Sequence, residues 1–245
     1  MFKKVLLFLY QNFTITSFQK AYKNAQKKEY EKAIRHYTQA LKYTPASAYN
    51  NRGVCKAALG RYQEAIEDYT QAIERNLSYA DAYNNRGAAK MKLKQFDEAI
   101  EDYKKVLTLN PKHATAHFNI GVHKAKESAH QEAISHFNQA ILLNKKYANA
   151  YHYRALTKAA LGNKDAALLD YKKAIKLDKT NPDVYNNRGV LWLQLGNRKK
   201  AKKDFSKAIY YDSNHPQATS NKQLLHTSAS SPINVPNLNI IPKQE

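Results

Sequence analysis

The sequence is poor in cysteine and has no long apolar run. Cys55 is the only cysteine among the 245 residues, which excludes an internal disulfide or a structural zinc cluster built on cysteine ligands. Near the N-terminus, Lys3 and Lys4 precede an apolar run at residues 5–10 that is too short to span a bilayer. Glycine-rich phosphate loops, RNA-binding aromatic signatures and zinc-finger spacings are also missing. We therefore expect no cofactor and no small-molecule substrate.

What the sequence does contain is a unit that repeats every 34 residues. Glycine recurs at this spacing at Gly53, Gly87, Gly121 and Gly189, and Ala155 fills the remaining place. Five consecutive copies span residues 46–79, 80–113, 114–147, 148–181 and 182–215, and a more divergent copy precedes them at 14–45. A period of this length indicates a linear array of supersecondary units rather than a globule with one central core.

Each copy carries the same pattern of small and bulky residues. Counted from the start of a copy, small residues fall at positions 8, 20 and 27, and aromatic residues fall at positions 4 and 24. Position 24 is Tyr69, Tyr103, Phe137, Tyr171 and Phe205. These are helical spacings that place a small contact beside a ring. The pattern resembles the tetratricopeptide repeat (TPR) family, with six repeats, although lysine replaces the aromatic residue usual at position 11 in four copies.

The resemblance implies an all-α fold, an α-solenoid in which antiparallel helix pairs stack into a right-handed superhelix. The first helix of each pair would line a concave groove. One hairpin cannot bury its apolar face alone, so neighbouring copies complete the core. We predict a repeat array at 14–226, closed by a capping helix at 216–226. A flexible tail rich in Ser, Pro and Asn follows at 227–245, and it could act as an extended ligand for the groove.

The apolar segment at residues 1–13 has two interpretations. It is either a cap on the first hairpin or a weak signal or anchor sequence, since no clean cleavage site follows it. A cytoplasmic location is favoured, and export or membrane association is left open.

Arginine at position 7 and aspartate at position 23 recur together in four copies. The pairs are Arg52 with Asp68, Arg86 with Asp102, Arg154 with Asp170, and Arg188 with Asp204. The copy at 114–147 loses both partners at once, since it has Ile120 and His136 there. This joint loss predicts structural pairing within one hairpin. Catalytic carboxylates instead converge in one pocket, so we expect no enzyme activity.

Asparagine recurs at positions 5 and 6, which the resemblance would turn into the groove. The predicted peptide-binding residues are Asn50, Asn51, Asn84, Asn85, Asn119, Tyr153, Asn186 and Asn187. A carboxamide both donates and accepts hydrogen bonds, which suits an extended peptide backbone. In some members of the family, an asparagine at position 6 binds the main chain of a peptide. The alternative is an ordinary solvated helix face. The main hypothesis is a non-catalytic protein–protein interaction scaffold that holds an extended peptide or partner segment.

The chain is strongly basic, and its basic residues are densest near the C-terminal end. It has 40 Lys and Arg against 20 Asp and Glu, a formal net charge of +20. The densest run contains Arg198, Lys199, Lys200, Lys202, Lys203 and Lys207. It lies where a helix should begin, although the helix dipole favours acidic residues there. Such a patch attracts acidic protein, nucleic acid or anionic membrane. The alternative function is therefore a basic solenoid that docks on nucleic acid or an anionic membrane, and the alternative without a partner is a solvated helix face.

Five of the nine histidines lie between residues 113 and 136. His113 and His117 could share a helix face, but a metal site needs three or four converging ligands. We therefore expect no metal. A pH-sensitive joint and surface drift are the two remaining interpretations.

Overall fold

The computed structural model describes residues 16–42 and 45–227. The predicted apolar segment at 1–13 and the predicted tail beyond residue 227 lie outside the described residues. The helices are α1 (16–26), α2 (Tyr30–Ala40), α3 (Pro45–Ala58), α4 (Tyr62–Arg75), α5 (Ala80–Lys92), α6 (Phe96–Leu109), α7 (Ala114–Lys126), α8 (His130–Leu143), α9 (Ala148–Ala160), α10 (Lys164–Leu177), α11 (Pro182–Gln194), α12 (Arg198–Tyr211) and α13 (Pro216–Thr227). The described ranges contain no strand. The predicted all-α fold of helical hairpins is confirmed, and these helices fit about six repeats.

The chain forms two compact units, one up to Ala116 and one from His117. In the first unit, α3 packs against α4 and α5 against α6, and α4 also packs against α5. In the second unit, α9 packs against α10 and α11 against α12, while α13 packs against both α11 and α12. Helices α4 and α5, for example, each pack against their hairpin partner and against the neighbouring hairpin.

The recurrent glycine at position 8 lets the first helix of a hairpin approach the ring at position 24. A Cβ built on Gly53 would lie 2.7 Å from Tyr69 Cε1, closer than atoms can pack. The same contact has distances of 2.8 Å for Gly87 with Tyr103, 2.8 Å for Gly121 with Phe137, and 2.6 Å for Gly189 with Phe205. The rings are buried in the hairpin cores, so a larger residue at these glycines would displace a core ring.

The turn between the two helices of a hairpin uses a residue with positive φ. This residue is Gly60, Gly162 or Gly196 in three hairpins, with φ of 73–80°, and Lys28, Lys94 or Ser128 in three others, with φ of 61–63°. Glycine adopts this conformation without the steric cost that a Cβ imposes. The turns at Lys28, Lys94 and Ser128 are therefore strained relative to the glycine turns.

The last helix, α13, closes the described chain. It begins at Pro216, and Ala218 on its first turn packs with Tyr185 and Ala208. No helix within residues 16–42 and 45–227 is both long enough and apolar enough to cross a membrane.

Candidate functional site

The two recurrent asparagines of each first helix lie in different surroundings. At position 5, Asn50, Asn84 and Asn186 are buried, with only 5–9% of each residue exposed. At position 6, Asn85 and Asn187 are half-buried, as are Asn51 and Asn119. A ligand could therefore reach the position-6 side chains more easily than those at position 5.

In the first unit, the asparagines form a series of hydrogen-bonded amides. Asn50 donates through Nδ2 to Asn51 Oδ1 at 3.1 Å, and Asn85 of the next copy donates through Nδ2 to Asn50 Oδ1 at 3.0 Å. The buried Asn50 thus links the half-buried amide of Asn51 on its own helix, α3, to that of Asn85 on α5.

The second unit has an equivalent series in which a histidine replaces one asparagine. Asn221 of α13 donates to Asn186 Oδ1 at 3.0 Å, and Asn186 donates to Asn187 Oδ1 at 3.3 Å. Asn187 in turn donates through Nδ2 to His152 Nε2 at 3.0 Å. Because that ring nitrogen accepts, His152 is neutral here. Burial lowers the pKa of His152 from its ordinary value of 6.5 to about 4.

Aromatic side chains replace two of the amides. Phe118 is at position 5 of the copy at 114–147, and Tyr153 is at position 6 of the copy at 148–181. Their rings meet edge to face at a centroid distance of 5.4 Å, and both pack against the core around Phe137. Burial raises the pKa of Tyr153. The predicted site residue Tyr153 therefore contributes to a ring cluster rather than to an amide series.

One cleft in the first unit includes a predicted peptide-binding residue. It has a volume of about 290 Å³ and is mostly apolar. Its lining residues are Val54, Ala57, Tyr62, Tyr69, Asn85, Ala88, Ala89 and Lys92. Val54 is 43% exposed, so an apolar residue that lines this cleft is accessible to solvent.

The four recurrent arginines each bind the aspartate sixteen residues later. Arg52 donates through Nε to Asp68 Oδ2 at 2.8 Å and through Nη2 to Oδ1 at 2.6 Å. The other pairs have the same two-bond geometry at 2.6–3.0 Å, namely Arg86 with Asp102, Arg154 with Asp170, and Arg188 with Asp204. The aspartates are buried, which fits structural clamps better than groups presented to a substrate.

The structure shows two further contacts of these arginine–aspartate pairs that the sequence did not predict. The lysine at position 11 also binds the aspartate, at 3.0 Å for Lys56 with Asp68, 3.1 Å for Lys90 with Asp102, and 2.7 Å for Lys158 with Asp170. Three arginines also reach the preceding hairpin through Nη1, where Arg52 binds Thr38, Arg86 binds Thr70 and Arg154 binds Asn138. These three clamps therefore hold their own hairpin and the one before it. In the sequence, the recurrence of lysine at position 11 could have indicated this additional partner of the aspartate.

The basic run lies on α12, which begins at Arg198. Asn197 caps this helix by accepting the Lys200 backbone N–H at 3.0 Å, and Arg198 donates to the Leu225 carbonyl at 2.7 Å. The lysines of the run are exposed, and Lys200 lies over the Trp192 ring at 4.2 Å. Arg198 thus anchors the end of α13, while the lysines face solvent.

The histidines do not gather in one place. His113 precedes α7, which begins at Ala114, so His113 and His117 do not share a face of that helix. Instead, His113 accepts the Ala116 N–H at 3.2 Å and lies 3.4 Å from Asp81. His117 and His136 face each other with 3.2 Å between their Nδ1 atoms.

The cysteine is buried, and the described side chains that could bind a metal are dispersed. Burial raises the pKa of the Cys55 thiol to about 11, so the thiol is neutral at physiological pH. Across the part of the chain that the structure describes, no group of three His, Cys, Asp or Glu side chains is arranged to hold a metal.

Comparison with known families identifies the repeat. Models of the tetratricopeptide repeat match residues 46–79, 80–113 and 182–215, and a model described as a TPR repeat matches residues 158–196. The chain belongs to the tetratricopeptide repeat family. Proteins of this family generally act as non-catalytic scaffolds for protein–protein interaction. No curated protein matches the chain in a sequence search.

Solved TPR structures share the fold. MamA is 27% identical, the match covers 66% of this chain and 94% of MamA, and the TM-score is 0.56. YrrB, described as a TPR protein with an unusual peptide-binding site, is 24% identical over 76% of this chain and 97% of its own, with a TM-score of 0.56. In the Cut9–Hcn1 hetero-tetramer of the APC/C, the match is 19% identical, covers 91% of this chain and 46% of the other, and has a TM-score of 0.80.

Proposed function

We propose that this TPR protein is a non-catalytic scaffold that holds an extended segment of a partner protein against its first helices. The observation that carries the proposal is the apolar cleft of about 290 Å³ in the first unit, which has Asn85 in its lining. A cleft of this kind offers an apolar surface and a polar group that fixes orientation, the two features that recognition sites combine.

The chemistry of the cleft suits one side chain and one stretch of main chain. An apolar side chain of the partner would enter between Val54, Tyr62 and Ala88. Asn85 donates one amide N–H to Asn50, and a carboxamide has two such donors and an oxygen with two lone pairs. The remaining capacity would meet the partner's backbone.

The amide series supports this proposal by fixing the orientation of the binding residue in advance. Asn85 is tied to the buried Asn50, so less side-chain freedom is lost when a partner binds. We therefore propose position 6 as the contact residue, at Asn51, Asn85, Asn119 and Asn187, and position 5 as its support. The peptide-binding site described for YrrB belongs to that protein, and our proposal depends on the cleft of this chain.

A peptide selection would test the proposal directly. Extended peptides would be selected from a display library on the whole protein, and their affinities measured for the Ala88→Trp variant, which fills the cleft without altering the amide series. We expect affinity to fall at least about tenfold, equivalent to about 1.4 kcal/mol. The matched control is Gln63→Trp, an exposed residue on α4 that does not line the cleft.

Two results would count against the proposal. One is that no peptide is selected, and the other is that the selected peptides bind Ala88→Trp as tightly as the unmodified chain. Docking on nucleic acid or anionic membrane remains an alternative prediction, and it would be recognised by a steep loss of binding with rising salt. A cytoplasmic location also remains a prediction.

A further inference from the structure

The last hairpin reverses a charge pattern that two earlier hairpins share. In the hairpin of α3 and α4, Lys56 lies 3.7 Å from Glu64 and 3.0 Å from Asp68. Lys90 is held in the same way, 3.3 Å from Glu98 and 3.1 Å from Asp102. In both hairpins a lysine therefore lies between two carboxylates.

In the hairpin of α11 and α12, Trp192 occupies the position of that lysine, and Lys200 occupies the position of the glutamate. The ion pair is replaced by a cation over a ring, with Lys200 Nζ 4.2 Å from the Trp192 centroid. The aspartate is retained as Asp204 and keeps its two bonds to Arg188. The reversal thus leaves the clamp intact and changes only the charge around it.

A cleft of about 310 Å³ opens at this position. Its lining residues are Ile175, Tyr185, Arg188, Trp192, Lys200, Lys203, Asp204 and Lys207. Arg188 and Asp204 neutralise each other, whereas the three lysines are exposed and form no ion pair with any described residue. The cleft therefore has three uncompensated positive charges around a partly apolar floor.

We propose that this cleft binds an acidic segment of a partner protein through two or more carboxylates. Three ammonium groups on flexible stems can follow carboxylates at varied spacing, because lysine acts as a mobile point charge. The pocket is large enough for one or two side chains, and its rings and Ile175 would contact their aliphatic parts.

The rings of the cleft favour carboxylates over nucleic acid. The planar fork of Arg188, which could bind either a carboxylate or a phosphate through two bonds, is already used by Asp204, so an anion in this cleft would meet the lysines. The rings on which bases would stack already carry cations, since Lys200 lies over Trp192, and Lys207 lies 5.5 Å from the Tyr185 centroid. A nucleotide would have to displace these lysines in order to stack on the ring faces that they cover.

None of the residues that line this cleft also lines the cleft beside Asn85, so either binding site can be present without the other. Trp192 is the only tryptophan in the chain, and its emission reports binding at this cleft. The experiment titrates a blocked hexaglutamate peptide into the full chain, with blocked hexaglutamine and a short single-stranded oligothymidylate as comparison probes.

The decisive comparison is between two variants of equal charge. Lys203→Gln with Lys207→Gln removes two lysines that line the cleft, while Lys199→Gln with Lys202→Gln removes two from the same helix that do not. We expect hexaglutamate to change Trp192 emission saturably and the first variant to bind about tenfold more weakly. The second variant should lose less than about threefold, through general screening. Circular dichroism would verify that both variants retain the helix content of the unmodified chain.

The proposal is overturned if the two variants lose affinity equally, because the effect would then be one of net charge. It is also overturned if hexaglutamine binds as well as hexaglutamate, or if hexaglutamate leaves Trp192 emission unchanged. Tighter binding of oligothymidylate that depends on Lys203 and Lys207 would overturn it in favour of a phosphate ligand.

Discussion

His152 should make the stability of the second unit depend on pH. It occupies position 5, where three other copies have asparagine, and its Nε2 accepts the Asn187 amide N–H at 3.0 Å. The ring is buried, and burial lowers its pKa to about 4, although the Asp183 carboxylate acts in the opposite direction. Protonation would remove the acceptor and leave a charge at a buried position.

The sign and size of the effect follow from the two pKa values. The unfolded chain binds a proton at His152 below about pH 6.5, whereas the folded chain does so only below about pH 4. Stability from this group is therefore fully present above pH 6.5 and is lost as the pH falls to about 4. Since each pKa unit corresponds to about 1.4 kcal/mol, the loss is about 3 kcal/mol.

The variant that isolates this effect is His152→Asn, which restores the residue found in the other copies and keeps an acceptor for Asn187. Unfolding in urea would be followed by Trp192 emission, since Trp192 lies in the same unit. Between neutral pH and pH 4, the unmodified chain should lose about 3 kcal/mol more than the variant. Burial and the adjacent His117 also lower the pKa of His136, but His136 is present in both proteins and cancels. Equal pH dependence in the two proteins would refute the reasoning.

Two further predictions concern stability alone. Asp68→Ala should lower the free energy of unfolding by about 3 kcal/mol, because Arg52 and Lys56 lose the carboxylate that they share. The exposed Glu64→Ala should change it by less than about 1 kcal/mol, and similar losses for both in urea unfolding would contradict the clamp. Lys94→Gly should raise the free energy of unfolding by about 0.5–1 kcal/mol, because φ at this turn is 63° and glycine adopts a positive φ without the steric cost of a Cβ. A decrease would show that the turn is unstrained.

The fold was predictable because the same pattern of residues recurs in successive copies of the repeat. The pairing of Gly53 with Tyr69 recurs at the same separation in other copies, so the contact is visible as a pattern even where one copy deviates. The link between Arg52 and Asp68 was predictable for a related reason, since the copy with Ile120 and His136 loses both partners together. A single unrepeated hairpin would have shown neither relation.

The details of the amide series were not predictable in the same way. Asn50 and Asn51 are identical in type and adjacent in sequence, and only the rotation of the helix makes one buried and the other half-buried. The partner of Asn50 in the next copy, Asn85, is 35 residues away, so no local spacing reveals it. His113 shows a further limit, because its place before α7 depends on where the helix begins, and helix ends are set by local capping contacts.

The two clefts indicate where a repeat array can acquire binding chemistry. Positions 7, 8, 23 and 24 form the clamp and the glycine–ring contact, and a change there would disturb a hairpin and its neighbour. Other positions can vary at a cost that does not extend beyond the neighbouring hairpins, because the stability of stacked repeats is a sum of local and nearest-neighbour contributions. Trp192 and Lys200 are such changes, and they open a basic cleft while Arg188 and Asp204 remain paired. Departures from the repeat that leave the clamp intact are therefore the residues in which specificity should be sought.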